Sequence, residues 1–169
     1  SRNTMFARDA TSGAELWRRP LDAGSAGGPV RGSTYSEGRV YAYRGADLYA
    51  FDAGNGEAIR SFGDTGVLKV VAEALNFKYP DVYSVNTDPI SLGYRLTTPP
   101  TIHDGKMYVA AALSEGHIPG GLVIRIDVET GAVEWVFNTI PQTPSDSGWE
   151  IAQSTWGTGQ RAGGGVWTP

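Results

Sequence analysis

The sequence predicts an all-β protein built from repeated four-stranded antiparallel units, the blades of an incomplete β-propeller. Three observations carry this. Three segments share an Asp followed four residues later by a Gly: Asp9 and Gly13, Asp52 and Gly56, Asp127 and Gly131. Two of them continue to a Trp four residues beyond the Gly, Trp17 and Trp135, while the second has Arg60 there. The chain also carries 23 glycines and 10 prolines in 169 residues, well above the roughly 12% of an average protein. Finally, Glu37-Gly38 and Asp104-Gly105 each separate two short candidate strands, and Asp-Gly flanked by apolar runs is a good hairpin signal.

Taken in order, the chain opens with the last two strands of one unit, over residues 1–20. The Asp ends the first strand and its carboxylate caps amides inside the turn. The Gly takes a positive-φ position that residues with a Cβ avoid. The second strand carries Trp17 toward a neighbouring unit. A complete unit follows over 30–63, with strands at 32–36, 39–44 and 47–52 before the Asp52 turn. An insertion spans 64–95, where the spacing of Val67, Val70, Val71, Ala74 and Leu75 suggests a short helix. A second complete unit occupies 96–138, with strands at 98–103, 106–113 and 122–127 before the Asp127 turn. Residues 139–169 read as a loop and the start of another blade. Repeated four-stranded units of this size are propeller blades, and about three are expected here, so the remaining blades must come from the same or another chain.

Composition excludes several alternatives. Hydrophobic residues at 40% and aromatics at 11% supply a core, and only 19% of residues are charged, unlike a disordered chain. With no cysteine, disulfide frameworks, thiolate zinc sites, cysteine nucleophiles and covalently attached c-type haem are ruled out within these residues. A net charge of -4 with scattered Lys and Arg argues against a nucleic-acid partner. A serine hydrolase lacks its Gly-x-Ser-x-Gly elbow, and His103 and His117 are the only histidines.

The Ala-x-Asp-x-x-Thr-Gly-x-x-x-Trp pattern resembles the tryptophan-docking motif of the eight-bladed quinoprotein dehydrogenases, which use pyrroloquinoline quinone (PQQ). Four further stretches resemble that family. Val30-Arg31-Gly32-Ser33-Thr34-Tyr35 is similar to its Asn-Arg-Gly-x-x-Tyr segment, with Val30 in place of Asn; the resemblance implies that Arg31 binds the PQQ carboxylates and quinone oxygens. A planar guanidinium suits that task. Leu96-Thr97-Thr98-Pro99-Pro100 is similar to the segment whose threonine hydroxyl holds a PQQ carboxylate, with Thr97 or Thr98 in that role. Ala111 to Gly116 resembles a small-residue stretch ending in a metal-binding glutamate, which implies Glu115 after a one-residue gap, on a Ca²⁺ or lanthanide ion. His117 reads as an exposed loop residue. Gly163-Gly164-Gly165-Val166-Trp167 is similar to the Gly-Gly-Gly-x-Trp stretch whose indole forms the floor under PQQ; Gly164 and Gly165 let backbone approach the ring. Arg31, Thr97 and Trp167 all fall near the start of a unit's first strand, so they should converge on one axial pocket.

The resemblance implies oxidation of an alcohol or an aldose, with an external electron acceptor such as a cytochrome or quinone, in the bacterial periplasm. The family's metal-binding asparagine and aspartate base are expected beyond Pro169, so no catalytic base is assigned. The vicinal cysteine pair of methanol-type members is missing. The Asp-Gly-Trp turns alone fit equally a non-catalytic propeller serving as a binding scaffold in the bacterial envelope.

Overall fold

In the computed structural model, residues 3–21, 31–111 and 117–167 are described. They form three antiparallel sheets and two helices. β1 (Thr4–Arg8) and β2 (Glu15–Pro20) make a two-stranded sheet. β3 (Thr34–Ser36), β4 (Arg39–Arg44), β5 (Asp47–Asp52) and β6 (Val67–Leu68) make the second, in sequence order. β7 (Thr101–His103), β8 (Lys106–Ala111), β9 (Leu122–Asp127) and β10 (Val133–Asn138) make the third, again as a simple meander.

The three expected turns share one construction. The Asp9, Asp52 and Asp127 carboxylates each accept two backbone N–H groups two and three residues ahead, at 2.7–3.1 Å. The Gly N–H donates back to the Asp carbonyl at 2.8–2.9 Å in each turn. Gly13, Gly56 and Gly131 have φ of +73°, +70° and +78°, the left-handed region where a Cβ is strained.

Adjacent units are joined by aromatic rings set over these turns. Trp17 lies on Gly56, where an added Cβ would come within 2.6 Å of its ring, and its Nε1–H donates to Ala53 O at 2.9 Å. In the second unit the exposed Arg60 is not the docked residue. The ring is Phe62, fully buried, whose Cε2 lies 3.4 Å from the Cβ direction of Gly131. Gly63 N–H, next in the chain, donates to Thr130 O at 2.9 Å. Trp135 is 44% exposed and stacks on Phe137 at 6.2 Å on the edge strand β10.

The main core lies between the second and third sheets and is filled by Tyr41, Leu48, Phe62, Met107, Ile124 and their neighbours. The insertion contributes α1 (Val70–Lys78), which buries Val70, Val71, Ala72, Ala74 and Leu75 into that core. Pro80 prevents its continuation. The structure departs from the expected layout in three respects. The outer strand of the second sheet is completed by β6, from inside the segment read as an insertion, with Ala58 adding only an isolated bridge to Phe51. The terminal segment, read as loop, contains α2 (Trp149–Thr155), which buries only Ala152 and so leaves no apolar stripe to detect. Strands 32–36 and 98–103 are also shorter than expected, beginning at Thr34 and Thr101. No helix among the described residues is long and apolar enough to cross a membrane.

Candidate functional site

The segments leading into β3 and β7 are held side by side by Tyr43 of β4. Its ring is fully buried. Its hydroxyl accepts the Arg31 N–H at 2.8 Å and donates to the Thr97 carbonyl. Burial pushes the Tyr43 phenol up, so it stays neutral and able to donate. Thr34 Oγ1 adds a bond to Pro100 O at 2.5 Å. Gly32, at φ +140°, leaves room for Pro99, whose Cγ would be 3.4 Å from any Cβ there.

This frame brings Arg31 and Trp167 together. The Arg31 guanidinium lies 4.7 Å from the centroid of the Trp167 ring, within cation–π range. Both side chains reach solvent, Trp167 at 40%. Among the described residues, Arg31 makes no ion pair with a carboxylate. Thr98 Oγ1 donates to the Trp167 carbonyl, tying the floor segment to the β7 lead-in. Thr97 is 3% exposed, beneath this surface.

The glycine run before Trp167 packs backbone on backbone. A Cβ on Gly121 would fall 2.3 Å from Gly164 O and 2.8 Å from Gly165 Cα. Gly164, at φ +66°, would bring a Cβ within 2.6 Å of Thr139 Oγ1. Thr139 Oγ1 donates to Gly164 O at 2.7 Å, and Gly163 N–H donates to Ile118 O at 2.8 Å. Small residues are therefore demanded here by the apposed loop.

Of the residues singled out from sequence, Arg31 and Thr98 each contact Trp167. Thr97 and the glycines adjoin them, and Glu115 lies outside the described residues. His117 is exposed. No cluster of three potential metal-ligating side chains occurs among the described residues. Tyr43 and Thr139 organise the site and were not singled out. Tyr43 reads in sequence as one more inward-facing residue of a strand, and Thr139 carries no motif at all.

A surface-facing cation beside a part-exposed indole, mounted on propeller blades, makes this the candidate site. The family model described as "PQQ: Glucose/ethanol/alcohol dehydrogenase, beta-propeller domain" matches residues 1–169. The chain belongs to this family, as a partial propeller. Among solved structures, a quinohemoprotein alcohol dehydrogenase from Pseudomonas putida superposes with a TM-score of 0.67 at 24% identity, over 98% of this chain and 23% of that one. The quinohemoprotein alcohol dehydrogenase from Comamonas testosteroni gives 0.62 at 20% identity, over 87% and 20%. A europium-containing methanol dehydrogenase gives 0.60 at 19%, over 88% and 22%. At these identities the likeness concerns the fold, and the chain spans about a fifth of the length of each relative. No curated protein sequence matches the chain.

Proposed function

We propose that the chain forms the PQQ-cradling part of a dehydrogenase propeller, in an enzyme that oxidises an alcohol or an aldose. One observation carries the reading: the Arg31 guanidinium, without a carboxylate partner among the described residues, lies 4.7 Å from the centroid of the Trp167 ring, and both side chains reach solvent. PQQ is a conjugated plane edged by carboxylates, so it asks for an aromatic floor and a fork-shaped cation. These residues fit it. Arg31 binds and orients the carboxylate edge, Trp167 is the floor, and the glycines bring backbone close beneath it. Thr98 holds the floor through the Trp167 carbonyl, while Thr97 adjoins the site with its own carbonyl held by Tyr43. Bound there, PQQ would supply the two-electron oxidant, and a Ca²⁺ or lanthanide ion, which the family resemblance assigns to Glu115, would supply a Lewis acid. With PQQ bound, the indole would exclude water from the face it covers, and the Arg31 guanidinium would supply favourable positive potential to the quinone. The base, the external acceptor and a periplasmic setting belong to the same proposal and reach beyond these residues. The docked turns alone would serve a scaffold equally; the Arg31–Trp167 pair is what favours a cofactor.

Titration of the protein with PQQ, followed by tryptophan fluorescence, tests this. Trp167→Ala and Arg31→Ala are each expected to weaken binding about tenfold or more, the loss of roughly one strong contact. Unchanged affinity in both variants would sink the assignment.

A further inference from the structure

The insertion has no task in the reading above, yet its helix ends in a buried polar cluster. Lys78 Nζ lies 2.6 Å from Asp146 Oδ1, and the Asp146 side chain is only 2% exposed. Tyr79, next in the chain, donates its hydroxyl to Asp146 Oδ2 at 3.0 Å. Asp146 also accepts the amides of Gln142 and Thr143 at 2.8 and 2.9 Å. The Tyr79 oxygen accepts from Asn138 Nδ2 at 2.9 Å. Asn138, 3% exposed at the end of β10, uses the same amide nitrogen to donate to Pro119 O at 2.8 Å. A Cβ on Gly120 would lie 1.8 Å from Asn138 Oδ1, so the side chain fills a space only glycine leaves.

The next residue is Thr139. Its N–H donates to Gly121 O at 2.9 Å, and its hydroxyl accepts the Gly121 N–H at 2.9 Å. The same hydroxyl donates to Gly164 O at 2.7 Å. Three backbone segments are thus pinned by two adjacent side chains: the loop 118–121, the end of β10, and the glycine run that carries Trp167. Buried polar networks add little net stability, but once fully satisfied they hold one geometry.

We infer that Asn138 and Thr139 are positioning residues for Trp167, and that the insertion helix fixes them through Tyr79 and Lys78. The consequence for cofactor binding rests on the proposed function; the positioning itself does not. The insertion is then a brace that sets the height of the floor, and its length and register determine how the indole is presented.

Hydrogen exchange and PQQ titration separate these statements. Thr139→Val keeps the shape and removes both hydroxyl bonds; Thr139→Ser retains them. In Thr139→Val the Gly163 amide, which bonds Ile118 O, should exchange about tenfold faster, as expected for losing two net hydrogen bonds. Amides of β8 and β9 should be unaffected, and Thr139→Ser should restore the wild-type rate. PQQ affinity should fall and recover in parallel. Tyr79→Phe, which keeps the ring in the core, should give a smaller acceleration of about threefold. Gly163 exchanging no faster in Thr139→Val than in the wild type overturns the inference. Faster exchange with serine rescue, in a protein that does not bind PQQ at all, supports the brace and overturns the cofactor reading.

Discussion

Replacing each turn glycine by alanine should cost very different amounts, although the three turns look alike in sequence. Gly13, Gly56 and Gly131 share nearly the same φ, +73°, +70° and +78°, so each alanine meets a backbone penalty of about 1–2 kcal/mol. What differs is the ring above. A Cβ at Gly13 meets nothing within 4 Å, so Gly13→Ala should lose only that backbone term. At Gly131 the Cβ meets Gly63 N and Leu68 Cδ2 at 3.3 Å, a tight fit. At Gly56 it would lie 2.6 Å from Trp17 Cδ2 and 2.7 Å from Cε3. Trp17 cannot simply slide, because its Nε1–H is held by Ala53 O at 2.9 Å. Overpacking of this kind adds about 1–3 kcal/mol, for a total near 2–5 kcal/mol. Trp17→Ala alone should cost about 3–5 kcal/mol. In the double variant the overlap vanishes, leaving a coupling of about 1–3 kcal/mol. Urea unfolding followed by far-UV circular dichroism measures all of these. The argument fails if Gly56→Ala is no worse than Gly13→Ala, or if Trp17 and Gly56 show no coupling.

Three further outcomes are expected. Phe62→Ala should lose about 3–5 kcal/mol while Arg60→Ala stays within about 0.5 kcal/mol; equal effects in thermal unfolding would return the docking role to position 60. Tyr43→Phe leaves the Arg31 N–H and the Thr97 carbonyl without their shared partner and should cost about 1–3 kcal/mol, with weaker PQQ binding; full stability and affinity would remove Tyr43 from the site. Burial raises the Asp47 carboxyl above its usual range, partly offset by Lys69 and reinforced by Asp88. A raised acid favours the protonated form in the fold, so stability drains away as pH climbs from the unfolded pKa through the folded one. Asp47→Asn should therefore raise the melting temperature at pH 7, with the gain vanishing below about pH 4; a gain independent of pH would contradict this.

The repeat was legible because its chemistry is local. An Asp that caps its own turn and a Gly at positive φ occupy five consecutive residues, and the alternation of the flanking strands needs no tertiary partner. The helix α1 was half legible: Val70, Val71, Ala74 and Leu75 of the expected spacing are buried on it, but Val67 of the same run lies in β6. What sequence did not disclose depends on partners far along the chain. Phe62 replaces the residue at position 60 because the ring must reach a turn that ends at Gly131. β6 joins its sheet from a segment without strand-like alternation. α2 is nearly all exposed and has no stripe to read. At the site, the meeting of Arg31 with Trp167 followed from placing both at the starts of blades. Thr98 binding the Trp167 carbonyl, and Tyr43 tying two lead-ins together, are decided by angles between strands that no spacing encodes.

The docking contacts also have a direction. Trp17 precedes the turn it fills, and so does Phe62; the ring comes first in each case and its seat later. Trp17 and its acceptor Ala53 are 36 residues apart. At the pace of ribosomal synthesis, roughly 5–20 residues per second, that is a wait of roughly 2–7 s. For that interval the indole is an unclaimed apolar surface, and the arriving turn is what covers it. Each finished unit thus offers the next a template to condense upon, and the ring is expected to grow from its amino-terminal side like a row of tiles, each laid against the one before.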